Sequence, residues 1–208
     1  MSGMYSGMQF NSNNILKTIS ILSPIIVVFF IVMSSLFNED LKGLLYLAGI
    51  LMASIINLFL MQQLKSEHRP NPGEVCSLID IPIYNSAYDS PAPSSMIIAF
   101  TAAYLITPMI FNSQMNYIVF AFFLIIFGID GFYKLSVNCT KTSGVVIGGL
   151  TGLFLGISWF VLFHSTGYDS LLYFNEFQSN NVMCKKPNKQ TFKCSVYKNG
   201  KLISSNIA

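Results

Sequence analysis

Charged side chains are scarce in this chain: 10% of its 208 residues are Asp, Glu, Lys or Arg, against roughly 25% in an ordinary soluble domain. The shortfall excludes a water-facing globule. Hydrophobic residues make up 52% of the sequence, and a fold of this size cannot hide that much apolar surface without long charged faces around it. A bilayer solvates apolar surface directly. Histidine is nearly absent, with two copies, which leaves little imidazole for acid–base or nucleophilic chemistry. The four cysteines lack the short paired spacing of a structural zinc site, so neither a metal nor another cofactor is expected. The net charge of +3 is small, and no nucleic-acid partner is expected. A cleavable leader is not expected either, because the first apolar run is too long for a signal core and no small-residue cleavage pattern follows it.

Long apolar runs are what the chain does have. Residues 15–37 are almost uninterrupted apolar sequence and, at about 1.5 Å per residue, cross a hydrocarbon core of about 30 Å with some tilt. Asn38-Glu39-Asp40 supplies turn and N-cap chemistry, and 41–64 runs apolar again, so the first two helices form a hairpin across the membrane. Asn57 inside the second is expected to bond a neighbouring helix. Residues 65–95 then bring Pro70, Pro72, Pro82, Pro91 and Pro93 among charged residues, a loop long enough to be a functional element in itself.

Ser94 or Ser95 is the expected N-cap of a third helix over 96–111. The turn Asn112-Ser113-Gln114 leads to a fourth over 117–133, and the polar loop 134–143 to a fifth over 144–163. Gly144, Gly148, Gly149, Gly152 and Gly156 let backbones approach closely and place the fifth helix at the centre of the bundle. Asp130, near the end of the fourth, is expected to pair with Lys134 at i,i+4. Near the C-terminus, residues 191–197 and 202–204 alternate around Asn199-Gly200 like a two-stranded hairpin. The expected fold is therefore an all-α polytopic membrane protein: a polar segment 1–14, a bundle of about five transmembrane helices over 15–164, and a polar tail 165–208 carrying a small C-terminal β-hairpin.

Five crossings put the loops 65–95 and 134–143 on the same side as the N-terminus and the tail on the other. Near the helix ends the first side has Lys17, Lys65, Arg69, Lys134 and Lys141 against Lys42 on the second, which by the positive-inside rule makes the N-terminus cytosolic. Cys76 and Cys139 lie in the two loops, Cys184 and Cys194 in the tail, so only one pair can face an oxidising compartment. With the tail outside, Cys184 and Cys194 can close a small loop. With the other face outside, Cys76 and Cys139 can bridge and Asn138-Cys139-Thr140 becomes a glycosylation acceptor. Free thiols are the third alternative for either pair. Lys185, Lys186, Lys189, Lys193, Lys198 and Lys201 make the tail basic, either simply solvated or in contact with acidic lipid or a protein partner.

The order of parts, with Lys65-Ser66-Glu67-His68-Arg69-Pro70 after the second helix, Pro93-Ser94-Ser95-Met96 opening the third, then a polar loop and a Gly-rich last helix, resembles the type 2 phosphatidic acid phosphatase (PAP2) superfamily over about residues 41–163. That family has a Lys-x6-Arg-Pro motif, a Pro-Ser-Gly-His motif and a Ser-Arg-x5-His-x3-Asp motif on one membrane face. The resemblance implies a phosphate clamped by Lys and Arg, attacked by the last histidine, which the Asp orients, with the middle histidine protonating the leaving oxygen. Such chemistry needs fixed positive charge, an unprotonated imidazole nitrogen and an acid.

Here Arg69-Pro70 matches the first motif, but Gln62 stands where its Lys belongs, with Lys65 one turn away. Pro93 and Ser94 match the second, while Ser95 replaces Gly and Met96 replaces the acid histidine. In the third, Lys134 falls at the Arg, Thr140 at the nucleophilic histidine and Gly144 at the Asp. The resemblance thus implies a non-catalytic relative, with no catalytic residues and a degenerate phosphate- or headgroup-binding pocket of Lys65, His68, Arg69, Ser94, Ser95 and Lys134. The expected role is a structural or lipid-binding component of a membrane assembly, a pattern that also fits a viral membrane protein. An active phosphatase using a rearranged site at His68, and a small transporter or channel, are the alternatives.

Overall fold

The computed structural model describes residues 12–65, 90–173, 193–198 and 201–207, with positions 12–14, 17 and 193–207 described by backbone alone. Five helices account for most of them: α1 (Ser12–Phe37), α2 (Lys42–Leu64), α3 (Pro93–Phe111), α4 (Tyr117–Ser136) and α5 (Thr142–Ser165). All five are long and apolar enough to cross a membrane. Their ends run up to three residues past the apolar runs; at the C-terminal ends of α4 and α5 the Ser136 and Ser165 hydroxyls donate to the Phe132 and Leu162 carbonyls. Asn116 caps α4 by accepting from the N–H groups of Ile118 and Val119. After α5 comes one 3-10 turn, Asp169–Leu171. The strands β1 (Lys193–Lys198) and β2 (Lys201–Ile207) pair antiparallel, with an irregularity between Val196 and Tyr197; they belong to a separate compact unit, Gln178–Ala208.

The cap of α3 differs from expectation. Ala92 is the N-cap, with extended backbone and no side-chain bond, and Pro93 takes the first helical position. Proline suits that place because its φ is already helical and its missing N–H would have had no partner. Ser94 and Ser95 consequently lie inside the first turn, where their hydroxyls are released from capping.

α3 and α5 run parallel in close contact. A Cβ on Gly148 would come within 2.6 Å of the Ala92 carbonyl oxygen, one on Gly152 would fall on the Met96 carbonyl oxygen, and one on Gly156 would lie 2.5 Å from that of Phe100. Both helices advance four residues per contact, so the three glycines form the groove in which the α3 backbone lies. The expected central place of this helix is met: Gly144, Gly148, Gly149, Gly152 and Gly156 are all buried. The bundle closes around them. The Ser35 hydroxyl accepts the Gly43 N–H at 2.8 Å and donates to Asp40, tightening the α1–α2 hairpin. Trp159 on α5 donates its indole N–H to the Leu45 carbonyl of α2 at 3.2 Å. Asn57, fully buried, donates to the Pro91 carbonyl just before α3.

Tyr46, Phe100, Tyr104, Phe160 and Tyr173 pack ring to ring in the interior. The Tyr46 hydroxyl meets that of Thr101 at 2.6 Å, and Tyr173 donates to the Ile31 carbonyl. The outside is as apolar as the inside: Phe30, Phe37, Ile118, Phe132 and Phe154 are all more than two-thirds exposed. That is a surface for hydrocarbon, not water.

Candidate functional site

One carboxylate lies in the apolar length of α4, and burying it requires donors. Asp130 is fully buried. Its Oδ1 accepts from Ser20 Oγ at 3.1 Å and Ser94 Oγ at 3.1 Å, and lies 3.3 Å from Lys134 Nζ. Its Oδ2 accepts from Ser94 Oγ and Ser95 Oγ, each at 2.9 Å. Three helices converge here: α1 through Ser20, the first turn of α3 through two serines, and α4 itself through Asp130 and Lys134. The local reasons are plain. Pro93 starts α3 early enough to bring the serines to the carboxylate, whose negative charge suits the positive end of that helix. Lys134, one turn on, keeps a fifth of its side chain exposed, so its stem follows the helix while its ammonium reaches the edge.

The i,i+4 pair of Asp130 with Lys134 is as the sequence led one to expect; the convergence of serines is not. Ser94, Ser95 and Lys134, assigned by resemblance to a phosphate pocket, do come together, but around an internal carboxylate that accepts all three. Lys65 is exposed at the C-cap of α2, in the left-handed region at φ 42°, and is not among the donors to Asp130. His68 and Arg69 lie outside the described residues, as do Cys184 and the side chain of Cys194. Cys139 is in a disulfide, whose other sulfur lies outside the described side chains. Ser20 escaped the sequence reading entirely, since a lone serine in an apolar run points to nothing by itself.

The positions that would carry phosphoryl transfer are otherwise occupied. Met96 is completely buried in the core, its N–H bonded to Ala92. Thr140 is buried, its hydroxyl directed to the Lys141 carbonyl. Gly144 accepts the Ala92 N–H at 2.9 Å, joining the starts of α3 and α5 through backbone. The described imidazole, His164, sits at the far end of α5, with Nδ1 2.7 Å from Asp169 Oδ1 and its ring stacked on Phe160. That pair ties the 3-10 turn back to the helix. Among the described residues, no three His, Cys, Asp or Glu side chains gather as a metal site requires.

Set beside protein-family profiles, curated protein sequences and solved structures, the chain matches none.

Proposed function

We propose that the chain is a multi-pass integral membrane protein without catalytic activity, a degenerate relative of the type 2 phosphatidic acid phosphatases, serving as a structural component of a membrane assembly. The observation that carries this reading is the commitment of Ser94, Ser95 and Lys134 to Asp130. A phosphate clamp must present its donors to an incoming oxyanion; here an internal anion has taken them, and the helices that deliver them are pinned by the same bonds. The geometry thus favours a clasp between helices over a headgroup pocket. The apolar exterior, with its large side chains on α4 and α5, supports membrane residence.

A direct test is phosphate release from a panel of lipid phosphates by the purified protein in mixed micelles, with its folded state checked by thermal unfolding. No release above the micelle blank is the expected result. Turnover that disappears in both His68→Ala and Arg69→Ala would sink the proposal and establish a rearranged site. A buried carboxylate also raises the transport reading, but the Lys134 ammonium already occupies the place of a cation. Vesicles containing the protein are therefore expected to be no leakier to sodium ions or protons than empty ones.

A further inference from the structure

Cys139 lies in the short turn between α4 and α5, its N–H bonded to the Lys134 carbonyl, and its sulfur is in a disulfide. Making that bond removes two protons and two electrons from two thiols. A thiol–disulfide carrier of an oxidising compartment accepts them, whereas the reducing thiol pool of the cytosol drives the reverse. α5 alone separates Cys139 from everything beyond Ser165, and no further apolar run long enough to cross follows it. The residues after α5 therefore emerge on the reducing side. Those from 178 to 208 carry six lysines and no Asp or Glu.

We propose that the Cys139 end of the bundle faces an oxidising compartment and that the lysine-rich sequence 178–208 is cytosolic and binds anionic lipid headgroups. The inference rests on the multi-pass reading above. The count of basic residues near helix ends points the other way, but it is a statistical bias over a handful of charges. A disulfide requires an oxidant, and we give it the greater weight. By the count of spans Cys76, outside the described residues, is the only other cysteine on the Cys139 side, so Cys184 and Cys194 remain thiols.

Charge favours lipid as the occupant. The cytosolic leaflet is the anionic one, and each lysine brought to its surface strengthens association about fivefold.

The test uses the full chain in sealed microsomes with the cytosolic face outward. Resistance to alkaline extraction is expected, and release would overturn the multi-pass reading itself. In the retained protein, a membrane-impermeant maleimide is expected to modify Cys184 and Cys194 without detergent; modification only after detergent would overturn the sidedness. For the lipid contact, purified Cys184→Ser protein carrying an environment-sensitive dye on Cys194 is placed in vesicles of phosphatidylcholine with and without phosphatidylserine. A salt-reversible blue shift confined to the anionic vesicles is expected, weakened about fivefold for each of Lys193→Gln, Lys198→Gln and Lys201→Gln. The same emission in both lipids would overturn the contact.

Discussion

α3 is held at its first turn by hydroxyls turned toward a carboxylate, and along its next turns by bare contact with the glycines of α5. Both attachments answer one problem. Inside a bilayer, burying apolar surface between helices gains little over leaving it in lipid, so helices adhere through polar bonds or through close backbone approach. The Asp130 clasp carries the cost of a buried charge and offsets it with four partner side chains. The glycine seam has no such cost, but neither has it any room: carbonyl oxygens of α3 stand where side chains on Gly148, Gly152 and Gly156 would go. The first attachment depends on charge; the second is indifferent to charge and depends on volume.

Substitutions can break that contrast. Asp130→Ala removes the hub and strands the donors, and the expected loss is about 3–5 kcal/mol, as for other broken buried ion pairs. It would be read as a fall in thermal unfolding in detergent, and a loss below about 1 kcal/mol would show that the clasp is incidental. Asp130→Asn keeps an acceptor and most of the volume, so it should recover part of that loss. Next in size is Gly152→Ala, expected to cost about 1–3 kcal/mol by overpacking against backbone that cannot yield, while Gly128→Ala, where an added Cβ meets nothing within 4 Å, should leave stability unchanged. Ser20→Ala, which removes one hydroxyl from the clasp, should cost about 0.6 kcal/mol, the mean for a hydrogen bond between membrane helices. Combining Ser20→Ala with Gly156→Ala sharpens the comparison furthest: independent attachments should add to within about 0.5 kcal/mol. A larger coupling would mean that the two form one unit.

How well each attachment could be read from sequence follows from the same difference. The seam repeats at a four-residue interval within one helix, and such spacing reports a packed face without knowledge of the partner. The Asp130–Lys134 pair was legible for the same reason, since both lie on α4 one turn apart. Asn57 could be expected to find a partner because an amide in an apolar helix must, although nothing indicated Pro91. The rest of the clasp was hidden. Ser20 is 110 residues from Asp130, and Ser94 and Ser95 looked like caps until Pro93 proved to start the helix and free their hydroxyls. Helix spans were legible because membrane thickness sets their length; their ends drifted because a helix continues as far as its backbone hydrogen bonds do, which hydropathy does not report.

The bond from Trp159 to Leu45 has a practical consequence. It is the chain's single tryptophan, and it joins α5 to α2 with its ring beside Phe163 and close to Gly49. The protein thus carries its own optical reporter at one defined helix contact. Native emission can follow the parting of these two helices during denaturation, lipid exchange or assembly, with no dye attached and no signal from a second indole to subtract.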